Sequence, residues 1–269
     1  MNPRFWIAVH CNNDYQKAAI AQNTPPPVLR FLADRADPSI RAQVARNTAA
    51  PEDTLHQLAK DDDNYVRNCV AGNVNTPPDV LHILARDISS IRCVVATNPS
   101  TRADTLHMLT TSKDRHNTAA VTTALLSNLN LPGRSLRRLA SVKPKAVAEH
   151  PNTPTDVLLT LVAKTKVKES VENYRIRGAA INTLCNRAAD KTIKPAQLTM
   201  LAELDDTSLR SVVARQPGTP TATLETLAQD ENFVVRNAAQ QHLAVRQRPT
   251  RKHPENPEGF SQKIEEDRF

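Results

Sequence analysis

The 269-residue chain has little of what enzymes and small secreted domains are commonly built from. It holds only five glycines, and no G-x-x-x-x-G-K or G-x-G-x-x-G spacing occurs, so the backbone cradles that wrap phosphates cannot be assembled. Four cysteines, Cys11, Cys69, Cys93 and Cys185, stand far apart without a C-x-x-C pair, which argues against a zinc site and a disulfide framework. There is no H-E-x-x-H and no nucleophile elbow. With one Trp and three Tyr, base-stacking platforms for single strands are poorly supplied. Long apolar runs are missing too: Phe5 to Val9 is cut off by His10 to Asp14 before a signal-peptide core or a membrane span could form. These absences lead us to expect a soluble, cytoplasmic, non-enzymatic protein with reduced thiols and with no catalytic residue, cofactor or metal. A net charge of +7 favours acidic partners without marking a nucleic-acid coat.

What is present is a recurring phrase. NTPPDVLHILARD begins at Asn75, and STRADTLHMLTTS at Ser100, NTPTDVLLTLVAK at Asn152 and GTPTATLETLAQD at Gly218 repeat its pattern. Its first leucine recurs as Leu29, Leu55, Leu81, Leu106, Leu136, Leu158, Leu198 and Leu224, each followed three residues later by another leucine. That spacing places both on one face of a helix. The polar letters predict a cap: Thr76 at the start, Pro77 and Pro78 in a first turn that needs no amide donors, and Asp79 reaching back, as with Thr101 and Asp104 or Thr153 and Asp156.

A second motif follows the first: PSIRAQVA from Pro38, NYVRNCVA from Asn64, SSIRCVVA from Ser89, TSLRSVVA from Thr207 and NFVVRNAA from Asn232. Asp37, Asp63 and Asp206 precede these runs as caps, and Asn47, Asn73 and Asn98 follow them, where left-handed caps are expected. Helices of about two turns are marginal alone, being shorter than roughly 12 residues. They must stack, and without alternating strand patterns the product is an all-α superhelical solenoid of about eight two-helix repeats with no β-sheet.

These phrases resemble the leucine-rich repeat variant family, whose units read N-x-x-T-P-x-x-L-x-x-L-A and then D-x-x-V-R-x-x-V-A; the likeness runs from about Lys17 to Ala244. The resemblance implies a right-handed solenoid, distantly HEAT-like, in which one segment of each unit is α and the other 3₁₀ or short α. Founding members carry an iron-sulfur centre on a cysteine cluster before the repeats; only Cys11 stands there, so that cofactor does not transfer. We expect a solenoid over residues 1–245, an enlarged or inserted segment near 164–195, and a disordered tail over 246–269.

Three polar patterns stand out against the array. Arg41, Arg67, Arg92, Arg177, Arg210 and Arg236, with Lys17 in the equivalent place of the opening half-repeat, recur in the second helix. Asp37, Asp63 and Asp206 lie four residues before three of them, and pairing with these cap residues is expected, while the HEAT-like resemblance implies ladders of such Asp and Arg positions between repeats. Arg30, His56, His82, His107 and Arg137 follow the first leucine of successive repeats, a row suited to an extended anionic partner. Three histidines one repeat apart are too widely spaced for one zinc, whose ligands lie about 2.0 to 2.1 Å away. In the fifth repeat Arg134 replaces the first-turn acid, and Arg134, Arg137, Arg138, Lys143 and Lys145 come without an acidic residue among them, followed by Lys164, Lys166 and Lys168. A charge that violates the helix-start rule is where function is expected to override foldability. The partner-binding candidates are therefore Arg30, His56, His82, His107, Arg134, Arg137, Arg138, Lys143 and Lys145. A protein partner is expected, with phosphate-backbone binding of nucleic acid through the fifth and sixth repeats and the tail as the alternative.

Overall fold

Every copy of the leucine phrase becomes a helix, and so does the segment that follows it. The structure is a computed structural model that describes residues 2–11, 14–111, 119–165, 170–189 and 193–247. Among these are 18 helices and no strand. The first helices of the eight repeats are Pro26–Ala33, Glu52–Leu58, Pro78–Leu84, Ala103–Thr111, Gly133–Leu139, Thr155–Lys164, Pro195–Ala202 and Thr221–Leu227. Their second helices are Pro38–Arg46, Asn64–Gly72, Ser89–Thr97, Ala119–Leu126, Pro144–Glu149, Val171–Ala189, Thr207–Arg215 and Phe233–Gln247. Pro3–Cys11 and Tyr15–Ile20 form an opening pair. Both segments of a repeat are α-helical, the short-α form of the two that the family resemblance implies for the second segment. The protein is an all-α solenoid of stacked helix pairs.

The chain divides into two compact bodies, one ending at Leu184 and the other beginning at Cys185, within the 19-residue helix Val171–Ala189. Each body has its own core. All eight first leucines are buried, as are their partners three residues on. In the first body the second helices, from Tyr15–Ile20 to Ala119–Leu126, press on one another more closely than the first helices do. Ala45, Ala71 and Ala96 are fully buried there, and such small side chains let neighbouring backbones approach.

The polar letters of the phrase are spent between helices and not on caps. Thr76 is buried and its hydroxyl donates 2.6 Å back to the Val70 carbonyl on the preceding helix, while the cap position falls to Pro77, without a side-chain bond. Thr24, Thr101, Thr153 and Thr219 donate to Ala18, Val95, Val147 and Val213 in the same way. The expected capping box therefore does not form: proline's restricted φ starts the helix one residue later, and burial directs the threonine to the one carbonyl within reach. Asp37, Asp63 and Asp206 do cap the second helices.

The asparagines are corrected as well. Asn47, Asn73 and Asn98 adopt extended backbone, with φ of −69°, −74° and −67°, not the left-handed conformation. Each is buried and joins three repeats' worth of backbone. Asn73 Nδ2 donates to Ala45 O at 2.8 Å and Asn47 O at 3.0 Å, and its Oδ1 accepts from the Asn75 amide at 2.9 Å. Asn98 and Asn128 repeat the pattern one step on, bonding Ala71 with Asn73 and Ala96 with Asn98. His150 takes the next step: the Asn152 amide can only donate, so Nδ1 accepts it and Nε2 donates to Asn128 O at 3.1 Å.

The arginines also reach forward and not back to their own caps. Arg41 grips Asp61 of the next repeat with two bonds of 2.7 and 2.9 Å and donates to Arg35 O and Ala36 O. Arg67 does the same with Asp87, and Arg210 with Asp230. An aspartate four residues back is already engaged by the helix amides, whereas the one after the next first helix faces the guanidinium fork. Arg92 is buried, and its opposite number in the fourth repeat, Ser112, lies outside the described residues. Arg177 donates to Val162 O, and Arg236 to the carbonyls of Asp230 and Glu231.

Candidate functional site

The row after the first leucine lies on the surface of the first helices, and each member meets the start of the next repeat's first helix. Arg30 pairs with Asp53 at 2.8 Å and His56 with Asp79 at 3.3 Å. His82 Nδ1 lies 2.9 Å from the Thr105 hydroxyl, and His107 Nδ1 lies 2.9 Å from Ser135 Oγ. Arg86 can only donate, so His82 Nε2 accepts its hydrogen bond and Nδ1 carries the hydrogen given to Thr105. Arg137 pairs with Asp156 at 2.7 Å. In the second body Thr199 and Thr223 occupy the same two places, hydroxyl to hydroxyl at 2.8 Å. The row thus couples one repeat to the next, and its histidines do not converge on one another.

The inverted charge of the fifth repeat finds a counter-charge one repeat back: Arg134 pairs with Asp104, which is itself a first-turn acid. Both Arg134 and Arg137 remain more than half exposed, so these pairs each contribute only about 0–1 kcal/mol to stability. Arg138 donates from Nε to Thr110 O at 3.2 Å. His107 sits among these groups: burial first, then the charges of Arg134 and Arg138, hold its pKa below the usual value against the pull of Asp104. Lys143 and Lys145 lie elsewhere. Lys143 is the residue before the second helix, and Lys145 inside that helix stands 3.7 Å from Glu149. The structure therefore brings together His107, Arg134 and Arg138, extends them along the row to Arg137 and, toward the N-terminus, His82, His56 and Arg30, and sets the two lysines apart. Lys166, Lys168 and the tail from position 248 lie outside the described residues.

Three Arg–Asp rungs form among the described residues, and the joint between the fifth and sixth repeats is one of those without a rung. Between the first two repeats the Arg41–Asp61 rung lines a cleft of about 370 Å³, with Arg35, Lys60, Asp34 and Asp62 also on its wall. The equivalent cleft between the fifth and sixth repeats is about 460 Å³. There Pro144 stands where Arg41 does, and Lys164 where Asp61 does. Proline has no amide hydrogen to give and is tolerated in a helix only in its first turn, so this second helix begins at Pro144 and runs six residues instead of nine. Its missing turn leaves a floor of Ala140, Pro144, Val157, Leu161 and Ile176, rimmed by Thr160, Lys164 and the Arg137–Asp156 pair. Leu161 is 7% exposed, against 1% for Leu58 in the cleft lined by the rung. Among the described residues Lys143 and Lys164 pair with no carboxylate. The floor residues were not among the sequence candidates, although the signal was readable: the alignment places a proline and a lysine where the Arg41–Asp61, Arg67–Asp87 and Arg210–Asp230 rungs have arginine and aspartate.

A second hollow, of about 510 Å³, lies in the other body beside Arg215, Phe233, Val234, His242 and Val245. His242 Nδ1 stands 3.0 Å from Ala214 O, in the role of the buried asparagines.

No protein-family model matches the chain, and no curated protein matches it. Among solved structures, an engineered protein from the Northeast Structural Genomics Consortium is 16% identical with a TM-score of 0.40, covering 91% of this chain and 88% of that one. A designed armadillo repeat protein is 13% identical with a TM-score of 0.22, over 86% and 99% of the two chains. A second engineered protein from the same consortium is 17% identical with a TM-score of 0.21, over 91% and 96%. Likenesses this distant say nothing about function, and the fold rests on the helices described above.

Proposed function

We propose that the chain is a non-enzymatic binding scaffold of the leucine-rich repeat variant type, engaging a protein partner through the first-helix surface of its first body. The observation that supports a protein over a nucleic acid is the neutralisation of the row: Arg30, His56, Arg134 and Arg137 each face an aspartate, so charge alternates along the surface instead of forming a positive track. Phosphate backbones are held by cations that release counterions, and paired cations release few. Alternating charges favour a partner with its own mixed polar surface, where they set specificity and register.

The reading places the protein in a reducing compartment such as the cytoplasm. Its described cysteines are free, and burial pushes the thiols of Cys69, Cys93 and Cys185 up, away from reactive thiolate. Among the described residues no helix is long and apolar enough to cross a membrane.

The test is affinity capture with the purified chain and with a variant carrying Arg30→Ala, His56→Ala and Arg137→Ala, read by mass spectrometry, beside anisotropy of duplex and single-stranded DNA and RNA at low salt. A protein retained by the parent and lost by the variant is expected. Nucleic-acid binding that weakens steeply with salt, with no such protein retained, would sink the reading in favour of phosphate contacts.

A further inference from the structure

The Arg–Asp rung that lines the cleft between the first two repeats is replaced between the fifth and sixth by Pro144 and Lys164, and what stands there has a defined chemistry. We propose that this slot binds an acidic peptide segment of a protein partner, seating an aliphatic side chain on its floor and a carboxylate against Lys164. The proposal rests on the scaffold reading and assigns one part of its surface a ligand class.

Three features define the occupant. Ala140, Pro144, Leu161 and Ile176 offer carbon surface to the slot, with Pro144 and Lys164 in place of the Arg41 and Asp61 that line the first cleft. An apolar side chain laid there removes that surface from water. Lys164 stands in the aspartate's place, so the charge that completes the slot is now negative and comes from outside. The third feature sets the size of that charge. Asp156 lies on the same rim, paired with Arg137, so Arg137, Lys164 and Asp156 together carry one positive charge. A single carboxylate on the ligand balances that charge. Lys143, the exposed neighbour of Pro144 in the chain, adds a further positive charge.

The experiment uses the full chain and two labelled nine-residue peptides, one alternating Glu and Leu and one alternating Lys and Leu, followed by fluorescence anisotropy. Binding of the Glu/Leu peptide is expected, with none of the Lys/Leu peptide. Lys164→Asp should weaken the Glu/Leu complex at least tenfold and admit the Lys/Leu peptide. Thr160→Trp, which places bulk over the floor without touching the charge, should weaken both. Thr160 and Lys164 are exposed, so both variants should keep the helical signal and melting temperature of the parent, and circular dichroism checks this. Equal binding of the two peptides, binding indifferent to both substitutions, or no binding of the Glu/Leu peptide overturns the proposal. The last result, with a partner still captured through Arg30, His56 and Arg137, removes the slot and leaves the scaffold. Peptide binding with no partner captured does the reverse.

Discussion

Replacing Asn73 tests the claim that buried asparagines, and not caps, tie the repeats together. Its side chain makes three hydrogen bonds of 2.8 to 3.0 Å, two to carbonyls of the preceding repeats and one from the Asn75 amide, at 4% exposure. At about 1 kcal/mol net per bond, Asn73→Ala is expected to cost about 3 kcal/mol. Asn73→Asp separates this account from a simple loss of packing. The carboxylate keeps one acceptor for Asn75 but turns the other oxygen toward Ala45 O and Asn47 O, where a donor stood. An acceptor facing two acceptors, charged and buried, should cost at least ~1 kcal/mol more than alanine. Asn73→His should fall between parent and alanine, since His150 shows that imidazole can make one of the two donations and accept the amide. Urea unfolding followed by circular dichroism gives the ranking, and hydrogen exchange at the Asn75 amide reports the local bond. Aspartate as stable as alanine, or an alanine cost below ~0.5 kcal/mol, would refute the reasoning.

Three further outcomes follow from the same geometry. His107 should titrate by NMR with a midpoint below 6.5, and Arg134→Ala should raise it by removing a neighbouring positive charge. Because the folded state favours neutral His107, stability falls as pH drops below 6.5 toward that midpoint, and His107→Gln should flatten this part of the pH profile. For Asp61, burial is the largest single influence and pushes its pKa up, but the bond from Arg41, the Asp63 amide and the charges of Arg41 and Arg67 together hold it below the usual range. Its contribution is thus present above about pH 4 and is lost as pH falls through the folded value, so Asp61→Asn should lower stability at pH 7 by about 3 kcal/mol and show a shallower acid limb in pH-dependent melting. Thr76→Asn would be neutral if Thr76 capped its helix; since the hydroxyl donates backwards from a buried site, a loss of about 1–3 kcal/mol is expected in thermal melts.

The helices were legible because leucines three apart and apolar pairs four apart leave one solution for short segments that must share a core. The polar letters were harder. Thr76, Asn73 and Arg67 each fit a local rule, that of a cap, a left-handed turn or a pair four residues away, and each instead bonds the neighbouring helix. Local rules describe a helix end in water, whereas these residues sit at the seam between repeats, where a donor left without a partner would cost more than a cap is worth. His56, His82 and His107 could be placed in a row from their spacing, but their partners Asp79, Thr105 and Ser135 depend on which turn of the next helix lies opposite, which spacing does not give. The slot needed both: the repeat alignment marks Pro144 and Lys164 as misfits, and only the packed helices show that the two misfits face one space.

The forward reach of these bonds bears on how the chain can change in length. Asn73 treats Asn47 as Asn98 treats Asn73, and Arg41 treats Asp61 as Arg67 treats Asp87. The first three repeats therefore present interchangeable joints, and excising one whole repeat among them would rejoin matching halves of every bond type. Removing half a repeat would strand donors on one side of the cut. The fifth and sixth repeats have no such freedom, because the joint between them exists once, and any duplication or loss there creates or destroys the slot itself.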